Sequence, residues 1–413
     1  MTALLVLYMS QALFLPGRIE GVAGFGAIRR GLEGVFGPMS TLALSSQILG
    51  LYTAFVYFTP VLGGLVADRW IGRRTAVALG AVLMSAGHIA MAFDASFLLA
   101  LLLLIVGCGL LKGNISSQVG ELYAEDDGEG RTRGFSIFSM GINVGAVVGP
   151  LLCGILAQYY GWHAGFGLAG VLMLIGLATY LVGYKYMPGD RVRTRARVEH
   201  EPLTAAQWRT VAALGVATAI TVFQSVSYYQ NTNIGLVWAD KVVNLDLYGF
   251  HMPTAWFSSI DPFASVICVP LLFALWRWQA ARGREPDDMG KIAWGAWQAA
   301  FANLLLVAAC LPGGRVPLII PVIYDFILGV AFLYYWPPLL ALVSRAAPAK
   351  LKATLMGAVF LSLFVGNALV GWIGGFYEKM SPASFWLLHA GIAAVGGVLA
   401  TALARPLKRM LAV

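Results

Sequence analysis

The chain has 413 residues, of which 59% are hydrophobic and 12% are charged, and its mean hydropathy is +0.76. Soluble domains carry about 25% charged residues, so this composition excludes an ordinary soluble protein. The formal net charge is +8, but the basic residues lie in short loops between apolar runs, a distribution typical of membrane proteins and not of nucleic-acid-binding ones. We therefore predict an all-α membrane protein that has the lipid bilayer as a partner and binds no nucleic acid.

Twelve apolar segments follow one another along the chain. Their bounds are 1–15, 44–66, 74–94, 98–119, 134–157, 164–186, 208–237, 252–277, 290–311, 316–343, 353–376 and 382–404. Most of them reach the ~20 residues that a helical span needs, whereas the first one ends early, before Pro16. The pattern predicts twelve transmembrane helices, the first of them shortened.

Lysine and arginine are distributed unevenly among the loops. Twenty-one of the 28 basic residues follow even-numbered segments or lie at the C-terminus, and only six follow odd-numbered segments. Because cytoplasmic loops are the basic ones, both ends of the chain are expected in the cytoplasm, with the protein in a bacterial inner (plasma) membrane. The alternation is regular only if all twelve segments span the bilayer.

The most polar stretch of the chain, 187–207, divides the segments into two sets of six. We predict an N-terminal six-helix bundle over 1–186, a cytoplasmic linker over 187–207 and a C-terminal six-helix bundle over 208–413. Two such bundles are typical of transporters that bind their substrate near the membrane midplane.

Three ionisable residues interrupt otherwise apolar segments. Lys112 lies in the fourth segment, Asp261 in the eighth within "SSIDP", and Asp325 in the tenth within "PVIYDFILG". Charges inside a membrane are costly, so such residues generally bind substrates, carry protons or pair with one another. The structural alternatives are an ion pair for Lys112, a helix cap near Pro262 for Asp261, and a position near the outer helix end for Asp325.

The stretch "GGLVADRWIGRR" (63–74) joins the second and third segments. Its glycines permit close helix approach, and Asp68 can cap the next helix or pair with Arg73 or Arg74. The stretch resembles the loop signature of the major facilitator superfamily, which implies a cytoplasmic gate; the alternative is an ordinary charged turn. The gating residues are then Gly64, Asp68, Arg69, Gly72 and Arg73.

Two longer motifs narrow the family. "KGNISSQVGELY" (112–123) and "GFSIFSMGINVGAVVGPLLCG" (134–154) resemble the proton-dependent oligopeptide transporter family, whose pattern reads K-P-N-I-S-x-x-V-G-x-L-Y and then F-S-I-F-Y-x-x-I-N-x-G-A. The resemblance implies the major facilitator fold, with twelve helices in two six-helix bundles. It also implies a proton-coupled symporter that imports di- and tripeptides by alternating access.

The resemblance also implies roles for individual residues. Tyr57, Lys112 and Asn143 fall on family site positions in spans 2, 4 and 5, where Lys112 would hold the peptide carboxylate. Asp261, at a position that is usually asparagine, could bind the peptide amine. Polar-aromatic clusters in spans 7 and 10 could line the cavity, although simple aromatic packing is an equal alternative. The clusters are Tyr228, Tyr229, Gln230 and Asn231 in span 7 and Tyr334, Tyr335 and Trp336 in span 10. The substrate-binding candidates are Tyr57, Lys112, Asn143, Tyr229, Gln230, Asp261 and Trp336, and the proton-coupling candidates are Asp261, Asp325 and Lys112.

The sequence also departs from the family pattern. The first-span motif E-x-x-E-R-F-x-Y-Y-G is absent, and Met1 aligns just after it, as expected for an N-terminally truncated chain. Tyr229 and Phe332 stand where the family has glutamates in spans 7 and 10. Three explanations stay open: Asp261 and Asp325 substitute for these acids, coupling depends on residues that precede Met1, or the protein is a facilitator for another solute, such as an amino acid, nitrate or a drug.

Groups that would indicate catalysis are scattered. The four cysteines and five histidines have no metal-binding spacing, and no nucleophile, base or paired-acid cluster is visible. We therefore predict no cofactor, no metal and no enzyme activity, and a monomeric protein. A sensor that resembles a transporter but carries no flux remains an alternative.

Overall fold

The structure, a computed structural model, describes residues 2–123, 127–187, 189 and 203–411. Most of the linker predicted at 187–207 lies outside these residues. The α-helices of the described part are α1 Thr2–Tyr8, α2 Phe25–Phe36, α3 Thr41–Val66, α4 Arg73–Ala90, α5 Phe97–Glu121, α6 Gly128–Tyr160, α7 Trp162–Gly183, α8 Ala205–Tyr229, α9 Ile234–Val242, α10 Phe257–Ala280, α11 Asp288–Cys310, α12 Ile319–Ala346, α13 Lys352–Gly374 and α14 Pro382–Leu411. Two short antiparallel strands, β1 Asp246–Leu247 and β2 Phe250–His251, form a hairpin.

Ten helices of the described residues are long and apolar enough to cross a membrane. The shorter apolar helix Thr2–Leu13 lies at the first predicted segment. The third predicted segment corresponds to α4, which has 18 residues. The prediction of an all-α membrane protein is therefore confirmed.

Two local features differ from the predicted segments. α2 is a helix that the segment pattern did not include, because its Arg29, Arg30 and Glu33 interrupt the apolar run. The seventh segment, predicted as one helix over 208–237, is two: α8 ends at Tyr229, and α9 begins at Ile234 after a turn. Short polar side chains such as those in "QNTN" compete for backbone hydrogen bonds, which favours such an interruption.

The chain folds into two compact units, Met1–Glu199 and His200–Val413. In the N-terminal unit α5 packs against both α3 and α4, and α4 packs against α7. In the C-terminal unit α11 packs between α12 and α14, while α8 contacts α13 and α14, and α10 contacts α12. A buried cluster that includes Ala213, Tyr335 and Val359 forms a core shared by α8, α12 and α13.

Glycines allow the closest helix contacts. A Cβ atom at Gly63 would lie 2.1 Å from the carbonyl oxygen of Gly109, so α3 and α5 can cross at this distance only without side chains. In the C-terminal unit, a Cβ atom at Gly329 would lie 2.5 Å from the carbonyl oxygen of Asp261. The expected close approach at Gly64 is wrong, since a Cβ atom there would meet nothing within 4 Å.

Candidate substrate and proton sites

Lys112 and Tyr57 lie together in the N-terminal unit. The Nζ atom of Lys112, on α5, is 4.5 Å from the centroid of the Tyr57 ring, on α3. An ammonium over an aromatic face is stabilised by the ring quadrupole without losing its charge. Lys112 is exposed, and no carboxylate of the described N-terminal unit forms an ion pair with it. The structure thus brings together two of the predicted binding residues and leaves the cation available to an anion.

Asn143 lies on α6 in the same unit and is half-buried. An asparagine amide offers two donors and an acceptor, which is the pairing capacity that a peptide bond requires. The position stays a prediction, since no measured feature of Asn143 assigns it to a ligand.

Asp261 contacts Tyr228, a member of the polar-aromatic cluster predicted in span 7. The hydroxyl of Tyr228, at the end of α8, donates a short hydrogen bond to Oδ2 of Asp261 on α10. The Tyr228 ring stacks on Phe332 at 5.4 Å between centroids and meets Tyr229 edge-on at 4.9 Å. Asp261 therefore accepts a hydrogen bond in a setting of aromatic rings, and it does not cap a helix end.

Asp325 lies on α12 and is 5% exposed. Asn231, in the turn between α8 and α9, lines the same small cavity as Asp325. The helix that carries Asp325, α12, packs against α10, which carries Asp261. Both acids lie in the second turn of their helices. The structure thus brings the two predicted proton-coupling acids into one cluster, with α8, α10 and α12 contributing to it.

The remaining predicted lining residues have different environments. Tyr229 is half-buried, and Gln230 is fully buried with neither amide atom hydrogen-bonded in the described structure. Trp336 packs edge-on against Phe360, with 5.6 Å between ring centroids. Of these three, Gln230 is the one whose polar group is buried and unsatisfied, a state that generally indicates a missing partner.

The predicted gate is an ion-pair network at one end of the N-terminal unit. The Nε atom of Arg73 is 3.1 Å from Oδ1 of Asp68, and a second guanidinium nitrogen of Arg73 pairs with Glu121 at the end of α5. Gly72, with φ of 77°, precedes α4 in a conformation that favours glycine. Arg69 is exposed. Of the alternatives for Asp68, the structure shows the ion pair with Arg73 and no cap.

Arg74 extends this network to the end of α7. Its guanidinium lies 3.7 Å from the centroid of the Tyr184 ring and donates to the Tyr184 carbonyl at 2.6 Å. The Tyr180 hydroxyl in turn donates to Oε1 of Gln118 on α5, at 3.0 Å. The loop 63–74 is therefore tied to two neighbouring helices of its unit.

Tyr228 and Asn231 belong to the polar-aromatic cluster predicted in span 7. Sequence reasoning did not predict that they lie near Asp261 and Asp325, and it did not select Tyr324. All three are buried polar groups within apolar segments, each directly beside a predicted site residue in the chain. No periodic spacing in the sequence links these residues to Asp261 or Asp325. An unusual concentration of polar residues at the end of α8 was the available indication.

Comparison with known proteins identifies the chain. The sequence profile of the POT family matches residues 74–196 and 203–387. The chain belongs to the POT family. The motifs around Lys112 and Asn143 lie inside the matched region, so the resemblance predicted from them is confirmed.

Similar proteins cover nearly the whole chain. It is 30% identical to the uncharacterized transporter YclF of Bacillus subtilis (strain 168), over 85% of this chain and 83% of the relative. It is 24% identical to the di-/tripeptide transporter of Lactococcus lactis subsp. cremoris, over 89% and 88%. A crystal structure of a mutant of a peptide transporter POT in complex with alafosfalin is 28% identical, with a TM-score of 0.86, covering 99% of this chain and 91% of that chain. The predicted major facilitator fold is confirmed by this match.

Proposed function

We propose that this POT family protein is a proton-coupled symporter that imports di- and tripeptides by alternating access. The observation that carries the proposal is the Lys112–Tyr57 pair: a cation within an apolar helix, exposed, on the family's lysine position. The di-/tripeptide transporter of Lactococcus lactis and the alafosfalin complex support small peptides as the substrate class.

Lys112 would bind the carboxylate that every peptide presents at its C-terminus. An ammonium without a carboxylate partner attracts an anion, and the attraction becomes stronger as the bound peptide displaces water from it. Tyr57 keeps the ammonium oriented in the empty state without neutralising it, so no ion pair has to break before the peptide binds. Asn143 would bond a peptide amide or carbonyl group.

In the C-terminal unit, Asp261 would bind the peptide's amino terminus. Its carboxylate accepts from Tyr228 with Oδ2, which leaves the other oxygen for an ammonium. Asp261 and Asp325 would together substitute for the acids that Tyr229 and Phe332 replace. Binding of the peptide and a proton neutralises charges in both units, and that change biases the equilibrium between outward-open and inward-open states.

The proposal includes a location and an assembly state. The basic loops support insertion in the bacterial inner membrane with both chain ends in the cytoplasm. In this orientation the Arg73 network would lie at the cytoplasmic end of its unit and would latch a gate there. One chain contains both six-helix bundles, which supports a monomeric transporter.

Uptake of labelled dialanine into proteoliposomes, with and without an inward proton gradient, tests the function. We expect accumulation that requires the gradient and is competed by unlabelled dipeptides but not by free alanine. Competition by alanine, nitrate or a drug instead of dipeptides would establish the alternative solute class. No flux of any of them would favour a sensor.

The matched variants are Lys112→Gln and Lys379→Gln. Lys379 is exposed on a short helical turn, so its substitution should leave uptake unchanged. Lys112→Gln should lower the affinity for dialanine by tenfold or more, because a charge-assisted contact is worth about 1.5–3 kcal/mol. Equal dialanine affinities of the two variants would show that Lys112 does not bind the peptide.

A further inference from the structure

The turn between α8 and α9 borders a small cavity within the C-terminal unit. The cavity has a volume of about 10 Å³ and is lined by Asn231, Trp238, Phe257, Tyr324 and Asp325, among others. A single water needs a space of about 10–15 Å³ and two to four polar partners. The cavity is therefore the size of one water molecule and too small for any organic ligand.

Three polar side chains that border this cavity are almost completely buried. Tyr324 is 2% exposed, Asp325 is 5% and Asn231 is 6%. The Tyr324 hydroxyl and the Oδ1 atom of Asn231 have no hydrogen-bond partner in the described structure. Buried, unpaired polar atoms are costly, so two of them on residues that line one small cavity indicate a shared partner.

Within the described C-terminal unit no lysine or arginine forms an ion pair with the Asp325 carboxyl group. Asp325 is 5% exposed, whereas Asp261 is half-buried and accepts the Tyr228 hydroxyl hydrogen bond, which stabilises a charged carboxylate. Because burial disfavours the charged form, the negative charge is better accommodated on Asp261.

We propose that the cavity holds one water molecule and that this water and Asp325 form the proton-loading site of the C-terminal unit. Asp325 takes up one proton while Asp261 keeps its charge for the substrate amine. The protonated oxygen of Asp325 donates to the water, which donates to Oδ1 of Asn231 and to the Tyr324 hydroxyl. The water then provides a hydrogen-bond partner for both Oδ1 of Asn231 and the Tyr324 hydroxyl oxygen.

The inference deepens the proposed function and rests on it. Under the predicted orientation, the second turns of α10 and α12 are on the outer side of the membrane, where the proton concentration is higher. Asp325 therefore lies in the half of the C-terminal unit that is nearer the external water. The proton and the substrate amine then have separate carboxyl groups, so the two are able to bind together.

Other ionisable groups near the cluster are engaged elsewhere. Asp240 on α9 accepts a hydrogen bond from Thr254 at 2.8 Å. On α14, Trp386 packs against Tyr324, and the neighbouring His389 directs Nδ1 to the Phe385 carbonyl at 2.9 Å. A carbonyl only accepts, so this nitrogen carries hydrogen. Asp261 is therefore the charged group that influences Asp325 among the described residues of this cluster.

Infrared spectroscopy of the reconstituted protein tests the protonation directly. We expect the C=O stretch of a protonated carboxyl at neutral pH, absent in Asp325→Asn and retained in Asp246→Asn, which changes an exposed aspartate of the hairpin. A band that persists in Asp325→Asn would overturn the proposal. Tyr324→Phe should retain the band but shift its frequency, because the water loses a partner; an unshifted band would reject the water bridge.

Transport provides the second readout. In Asp325→Asn we expect gradient-driven accumulation of dialanine to be lost, while counterflow of labelled against trapped unlabelled dialanine continues at a rate within threefold of the unsubstituted protein. Preserved accumulation in Asp325→Asn would contradict the assignment of the coupled proton to Asp325. Loss of both accumulation and counterflow would show that Asp325 has a structural role instead. If the unsubstituted protein itself shows no dialanine counterflow, the proposed peptide function fails, whereas the infrared result still decides whether Asp325 is protonated.

Discussion

The ammonium of Lys112 lies 4.5 Å from the centroid of the Tyr57 ring, so α3 and α5 meet at a cation–π contact. The same two helices cross without side chains at Gly63 and Gly109. The close crossing brings the tyrosine within reach of the lysine. A rigid backbone contact therefore sets the position of the flexible cation.

Replacement of Tyr57 should separate the role of its ring from that of its hydroxyl. Tyr57→Phe retains a π face, and we expect its dialanine affinity to remain within about twofold. Tyr57→Leu removes the face, and a contact of about 0.5–2 kcal/mol corresponds to an affinity roughly 2- to 30-fold weaker. Competition binding to purified protein measures both. Equal losses would assign the effect to the hydroxyl instead.

Gly329→Ala should destabilise the C-terminal unit. Alanine is favoured over glycine in a helix by about 1 kcal/mol, but its Cβ would lie 2.5 Å from the Asp261 carbonyl oxygen. Backbone atoms cannot rotate away, so overpacking of about 1–3 kcal/mol should dominate. The control is Gly215→Ala on α8, where a Cβ meets nothing within 4 Å. Thermal unfolding in detergent should show a lower Tm only for Gly329→Ala; equal Tm values would refute the close packing.

Arg73→Gln should slow transport without a comparable loss of substrate affinity. Arg73 joins Asp68 and Glu121, and glutamine cannot satisfy two carboxylates with charge-assisted bonds. We expect a maximal rate of dialanine counterflow reduced by fivefold or more and a KM within twofold. Arg30→Gln, at an exposed position of α2 outside the predicted gate, should change neither. If both variants behave alike, the ion pairs have no gating role.

Acidification should loosen the C-terminal end of α2. Hydrogen bonds from Arg29, at 3.0 Å, and from the Met39 backbone, at 3.2 Å, hold the pKa of Glu33 below its usual range. Because the folded protein binds this proton more weakly than the unfolded chain does, the stabilisation is present above the unfolded pKa. It is lost as the pH falls through the folded pKa.

Hydrogen exchange of peptides covering residues 25–39 measures this effect. Exchange should accelerate as the pH falls below about 4.3, the ordinary glutamate pKa, after correction for the intrinsic rate. Glu33→Gln should show the faster exchange at all pH values, whereas Glu20→Gln should behave like the unsubstituted protein. A Glu33→Gln protein that retains the pH dependence would show that another group causes it.

The sequence allowed the spans and the family to be predicted because both are local properties. Apolar length defines a span, and the "KGNISSQVGELY" motif is contiguous. α2 was missed since its charged residues make it too polar for a span, and a surface helix has no such length signal. The break after Tyr229 was missed because hydropathy counts composition and not backbone hydrogen bonds.

The site could be predicted only one residue at a time. Lys112, Asp261 and Asp325 are conspicuous as ionisable groups in apolar runs. Their partners are not, because Tyr228 and Asp261 are joined by helix packing across 33 positions of the chain. The same holds for Asn231 and Asp325, whose contact depends on how α12 packs beside the break. Such pairings follow from tertiary packing, which hydropathy patterns do not encode.

The interruption between α8 and α9 has a mechanical consequence. A continuous α-helix resists bending because every turn is hydrogen-bonded to the next. At residues 230–232 this pattern changes to a 3-10 turn, in which the Asn233 amide donates to the Gln230 carbonyl. Such a change of helix type often marks a hinge. Asn231 belongs to this turn and lines the cavity beside Asp325, so we expect any bending here to alter the surroundings of that carboxyl group.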